Sequence, residues 1–173
     1  MEILENRDAW RAEFEAGWLA HLKATGEQDW PNYNRPKNTT APSGKAIKLS
    51  ESKIVLIPTA GSYLPDVHEP FDDQDPLGDY SIRLYPTSTP LDALAYSHPK
   101  YNHEAVEKDP QVLIPLRHLE DMVNEGIIGG LAEHVVSVMG YQPDVSRTLD
   151  ETIPAVIEAV KKEDVQGALL VPA

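Results

Sequence analysis

The 173 residues carry 15 basic and 28 acidic side chains, a formal charge of −13, with 41% apolar residues. This balance allows the core of one ordinary domain and argues against an electrostatic grip on nucleic acid or an anionic membrane. No cysteine is present, no apolar run is long enough to span a bilayer, and the acidic MEILENRDAW start is unlike a signal peptide, so disulfides, thiolate catalysis and cysteine-ligated zinc are excluded within the chain and a cytoplasmic location is the default.

Residues 6–25 read as an amphipathic helix. Trp10, Phe14 and Trp18 recur at every fourth position with Leu19 and Leu22 beside them, and Gly26 is placed to cap the end. Such a stripe needs a cover, either the domain's own sheet or a second subunit. Residues 29–50, with Pro31, Pro36 and Pro42, predict an extended connector anchored by Trp30 and Tyr33. The chain therefore divides into a helix and connector over 1–50 and an α/β domain over 51–173.

That domain is organised around KIVLIPTAGSYLPDVHEPFD, residues 53–72. Ile54, Val55, Leu56 and Ile57 form a continuous aliphatic run that suits a strand buried on both faces of a parallel sheet. Pro58 ends it, and Thr59, Ala60, Gly61, Ser62 and Tyr63 make the following loop. Ligands of open α/β sheets collect beyond the carboxyl ends of the strands, so this loop is a candidate site wall; an ordinary strand-to-helix connection reads the same locally.

Next comes an acidic stretch over 65–78. Asp66, Glu69, Asp72, Asp73 and Asp75, with Asp79 just beyond, crowd near His68 without the spacing of an EF-hand, which reads as a solvated acidic loop. Residues 80–85 alternate Ser81 and Arg83 against Ile82 and Leu84, a short strand suited to a sheet edge. Residues 91–96 are a second short candidate. His98, Tyr101 and His103 follow in SHPKYNH, a pattern open to metal ligation, proton transfer or simple hydrogen bonding to loop backbone.

Residues 116–125 predict a helix with Leu116, Leu119 and Val123 inward, ended by Gly126. Val135 to Met139 predicts a buried strand with Gly140 at its carboxyl end. Residues 148–163 predict a helix, capped by Thr148 or Asp150, with Ile153, Val156, Ile157 and Val160 inside. A last apolar strand, VQGALLVPA, closes the sequence. The expectation is a doubly wound, mostly parallel sheet of the Rossmann or flavodoxin type, left unfinished at its C-terminus and completed by another polypeptide or an oligomer.

Taken in order, IVLIPTAGSYLPDVHEPFD, GDYSIRLYP, SHPKYNH, IPLRHLEDMVNEGIIGGLAEHVVSVMG and DVQGALLVPA resemble component B of the glycine, sarcosine, betaine and D-proline reductases, the selenoprotein B group. The resemblance implies reductive cleavage of a carbon–nitrogen bond by a selenocysteine, or a cysteine, just after the motif matching GALLVPA. A chalcogenolate suits this attack because it is ionised at neutral pH and strongly nucleophilic. It also implies a pyruvoyl group on a partner subunit in some members, and thioredoxin-like electron donors. The sequence stops at Ala173 and has no cysteine, so the nucleophile is expected outside it, with no cofactor and no metal in the chain itself. Resemblance and position together make Thr59, Gly61, Ser62, Tyr63, Ser137, Met139 and Gly140 the substrate-binding candidates. His98, Tyr101, His103 and His134 are the catalytic candidates. Two other readings stay open: an assembly module without catalysis, and a metal-dependent enzyme in which three of His68, His98, His103, His118 and His134 converge.

Overall fold

The computed structural model describes residues 3–41, 43–98 and 100–173; Pro42 of the connector and Pro99 of the 97–103 turn lie outside the described residues. At the centre is β1 (Lys53–Pro58), in parallel register with β5 (Gly130–Leu131) on one side and β7 (Gly167–Val171) on the other. Its side chains alternate between two cores. Ile54 and Leu56 pack with Leu116 and Leu119 of α4 (Leu116–Asn124), while Val55 and Ile57 pack with Ala159 of α6 (Ile153–Lys162). All four are buried, each gaining about 1.5–3 kcal/mol over exposure. The unbroken aliphatic run thus means what it predicts, a strand covered by helices on both faces.

Strand pairing outside this sheet is antiparallel. β6 (His134–Val138) follows β5 after a short break, alternates between the same two cores through Val135 and Val136, and pairs antiparallel with β3 (Ile82–Pro86). A further antiparallel pair joins β2 (Ser62–Tyr63) to β4 (Ala95–Tyr96). The architecture is therefore mixed α/β around a three-stranded parallel sheet. β3 bonds to β6 alone among the described strands, as an edge strand should, but its inner face differs from expectation. Tyr85 is fully buried while Leu84 is 40% exposed. A ring with a hydroxyl that finds a polar partner inside outcompetes a leucine for the core position.

The long N-terminal helix is two helices. Gly17 breaks it into α1 (Arg7–Ala16) and α2 (Trp18–Thr25), and Gly26 caps the second in the left-handed conformation. Trp10, Phe14, Trp18 and Leu22 remain on one buried stripe across the break. Their cover is neither of the two surfaces expected. They pack on Tyr33 of the connector, Leu77 of the acidic loop, and Val145 and Leu149. Phe14 stacks between Trp10 and Trp18 at 5.0 and 5.6 Å, with Tyr33 edge-on to both Phe14 and Trp18. The connector is pinned by side chains: Tyr33 donates to the Pro143 carbonyl, and Glu5 accepts from Thr39 and Thr40.

The C-terminal helical segment starts earlier than the sequence suggests. Asp144 caps α5 (Val145–Arg147), which passes through a π turn, Thr148–Thr152, into α6. The wider turn rotates the inner stripe, so Thr152 and Ala159 are buried and Ile157 is 45% exposed. No helix among the described residues is long and apolar enough to cross a membrane.

Candidate functional site

Four predicted stretches meet beyond the carboxyl end of β1. The 59–63 loop turns back against the end of β6: Ala60 bridges Met139, Gly61 N–H donates to the Val138 carbonyl at 3.0 Å, and Gly140 N–H donates to the Thr59 carbonyl at 2.8 Å. The 97–103 segment, which leads into α3 (Glu104–Lys108), closes over the same loop. Ser97 N–H donates to the Gly61 carbonyl at 2.9 Å, and the Tyr101 hydroxyl donates to the Ala60 carbonyl at 3.0 Å. The end of β7 completes the convergence, since Val171 accepts from Thr59 N–H and Ala173 N–H donates to Thr59 Oγ1, both at 2.9 Å.

Two glycines make this crowding possible. Gly61 has φ +65°, and a β-carbon there would sit 2.1 Å from the Ser97 carbonyl oxygen. At Gly140 an added β-carbon would meet Thr59 Oγ1 at 2.8 Å. The first demands glycine for both its backbone angle and its space, the second for space alone.

Beneath the loop lies a buried hydroxyl chain. Ser62 Oγ lies 2.8 Å from Ser137 Oγ and 2.9 Å from the Tyr85 hydroxyl, and all three residues are wholly buried. Burial pushes the Tyr85 phenol well above its ordinary range, with the Ser62 hydrogen bond opposing it, so the chain carries no charge at neutral pH. Ser62, Ser137 and Met139 thus support the loop from below, while Thr59, Tyr63 and Gly140 reach the surface. Tyr63 packs its ring on Phe71, Met139 and Tyr141.

His98, Tyr101 and His103 form a ladder of rings, with centroids 4.9 and 4.5 Å apart. His98 Nδ1 accepts from Lys100 N–H at 3.1 Å, which leaves the proton of the neutral ring on Nε2. Burial lowers the His98 pKa, assisted by His103 and Lys100 and opposed by Asp73. His103 Nε2 lies 3.1 Å from the His98 carbonyl and bonds the turn to itself. The arrangement is a roof of three rings over the loop, tied to backbone through Tyr101 and His103.

His134 is not part of it. It is the first residue of β6, paired with Pro86, while Ser137 and the residues after it lie at the strand's other end. Four residue steps of extended strand put that end roughly 13 Å away. The histidines do not converge on a metal either: the one metal-capable group of three among the described residues is Glu133, His134 and Glu163. The acidic loop turns its carboxylates onto its own backbone, as Asp72, Asp75 and Asp79 each accept from local N–H groups. Sequence reasoning missed Tyr85, which completes the hydroxyl chain. A tyrosine out of phase with the apolar residues of its strand was the available signal.

The family model for glycine/sarcosine/betaine reductase selenoprotein B matches residues 19–173. Among curated relatives, the D-proline reductase subunit gamma of Acetoanaerobium sticklandii is 29% identical over 124 residues, covering 71% of this chain and 49% of that protein. The sarcosine reductase complex component B subunit beta of Peptoclostridium acidaminophilum is 29% identical over 126 residues, covering 68% of this chain and 28% of that protein. The chain thus spans about half the length of the first and less of the second. No solved structure matches. Every element of the strand-end site lies within the matched residues, and the chain belongs to the glycine/sarcosine/betaine reductase selenoprotein B family.

Proposed function

We propose that the chain is the substrate-loop portion of a reductase subunit that cleaves a carbon–nitrogen bond of an amino acid or amine. The observation that carries this reading is the bond from Ala173 N–H to Thr59 Oγ1. It brings the end of the GALLVPA segment onto the 59–63 loop, and the family resemblance expects a selenocysteine or cysteine directly after that segment. The selenolate or thiolate would attack the carbon bearing nitrogen. The carbon–nitrogen electron pair leaves with the amine, which takes up a proton, and a carbon–chalcogen bond remains for an external dithiol, of the thioredoxin-like class, to reduce. In this reading the chain's own residues shape and orient: Thr59 and Gly140 at the surface of the loop, Tyr101 and His98 as its roof, and the Ser62, Ser137 and Tyr85 hydroxyls as its rigid floor. The pyruvoyl group that activates the amine in some relatives would come from a partner subunit.

In this reading the partner docks on the side of β7 away from β1, where no described strand pairs. Val171 bonds inward to Thr59, so by strand alternation Ala168 and Leu170 turn their backbone groups away from β1. Leu170 is 63% exposed and Leu169 38%, an apolar edge of the kind native sheets cover. A further parallel strand there, from the reductase polypeptide that makes the relatives longer, would extend the helix-covered sheet into the doubly wound form.

The test is a version extended past Ala173 with a cysteine and the following half of a relative's sequence, incubated with sarcosine or D-proline. A substrate-dependent thioether adduct by mass spectrometry, with release of amine, is the expected result. A folded extended protein that forms no adduct with either compound, alone or with the partner reductase components, refutes the reading.

A further inference from the structure

Far from the strand-end loop, the start of β6 carries a cluster that the proposed reaction does not use. Consecutive residues in a strand point to opposite faces, yet Glu133 and His134 both reach Glu163. They do so because Glu133 lies in the break between β5 and β6. His134 Nδ1 is 2.7 Å from Glu163 Oε1, and Glu133 N–H donates to Glu163 Oε2 at 2.7 Å. One potential ligand atom from each of the three residues falls within 4.8 Å of the other two. In a tetrahedral zinc site, ligand atoms about 2.0–2.1 Å from the metal stand roughly 3.3 Å apart, so these atoms must close by at most about 1.5 Å.

The surroundings also suit a cation. The three residues line an open cavity of about 450 Å³ with Glu158, Lys162 and Ala159. Lys162 is engaged by Glu158 at 2.8 Å, and Lys53 donates to the Glu163 backbone carbonyl at 3.1 Å. Three carboxylates, Glu133, Glu158 and Glu163, thus face two ammonium groups, Lys162 and Lys53.

We propose that Glu133, His134 and Glu163 form a binding site for a borderline-soft divalent cation of the zinc class. One imidazole and two carboxylates favour such an ion over calcium or magnesium, which take oxygen ligands. The fourth position is open to water. The site joins the end of α6 to the start of β6, so the ion acts as a clamp between helix and sheet and has no part in the strand-end chemistry.

The experiment uses the full chain stripped of metal with EDTA, titrated calorimetrically with zinc chloride and followed by thermal melting. One saturable zinc per chain and a raised melting temperature are expected. His134→Ala and Glu163→Gln, checked for folding by circular dichroism, should each weaken binding by roughly tenfold or more, the loss that even outer-shell partners of metal ligands give. A double variant, His98→Ala with His103→Ala, should bind zinc as the parent does. Absence of saturable binding overturns the proposal. So does binding that survives His134→Ala but is lost in the His98 and His103 double variant.

Discussion

Replacing Gly61 by alanine isolates the contact that joins the 59–63 loop to its roof. Two costs arise. Holding alanine at φ +65° costs about 1–2 kcal/mol. The new β-carbon would also lie 2.1 Å from the Ser97 carbonyl oxygen, so the carbonyl must retreat by about 1.3 Å or more to reach ordinary contact. That movement strains the bonds from Ser97 N–H to Gly61 and from Gly61 N–H to Val138, worth about 1 kcal/mol each. The total is roughly 3–4 kcal/mol, a large share of the 5–15 kcal/mol typical of a domain. Gly126 is the control. It has a similar φ of +73°, but an added β-carbon there meets nothing within 4 Å, so Gly126→Ala should cost only the backbone term of about 1–2 kcal/mol. Urea unfolding followed by circular dichroism, with linear extrapolation, measures both. Equal losses in the two variants would refute the close approach of turn and loop on which the site depends.

Four further outcomes follow from the same geometry. Tyr85→Phe removes one partner from the buried Ser62 hydroxyl and should destabilise the chain by about 1 kcal/mol in the same assay, with Ser137→Ala similar. Trp18→Ala should cost about 3–5 kcal/mol without changing oligomeric state by light scattering, because the aromatic stripe is covered within the chain. Leu170→Lys should leave stability within about 0.5 kcal/mol yet abolish assembly with a partner reductase polypeptide in a pull-down. In alkali, burial raises Tyr33, Tyr96 and Tyr141 to about 12 and pushes Tyr80, Tyr85 and Tyr101 higher still. Folded values above the unfolded one mean stability that is intact below about pH 10 and lost as pH rises toward 12. Ultraviolet titration should therefore show most phenolates appearing together with unfolding, and six independent titrations near pH 10 would contradict the burial.

The sequence made the centre of the fold legible because β1 is buried on both faces, and a strand in that position admits little except aliphatic residues. The capping glycines at 26 and 126 were legible for a similar reason, since each takes a left-handed conformation at a helix end. Residues whose place depends on a distant partner were not. Tyr85 is inside because Ser62, 23 positions earlier, supplies a hydrogen bond. Ile157 is outside because a π turn rotates the helix after it has begun. The aromatic stripe of α1 and α2 announced burial but not its cover, which comes from a proline-rich connector and an acidic loop that have no periodicity of their own.

The same distinction explains the two sets of histidines. His98 and His103 lie five residues apart, and both rings pack tilted against Tyr101 while one ring nitrogen of each bonds to nearby backbone. Their contribution to the strand-end site is therefore shape, with one ring nitrogen of each held by nearby backbone. His134 has no neighbour in sequence that explains it. Its partner Glu163 lies 29 residues away and arrives only when α6 docks on the sheet. A shared carboxylate ties its two contacts to that docking. If the clamp holds, zinc should protect the α6 and β6 amides from hydrogen exchange and leave the 59–63 loop unchanged. Protection centred on the loop instead would place the ion at the strand-end site and remove the separation of structural and reactive ends argued above.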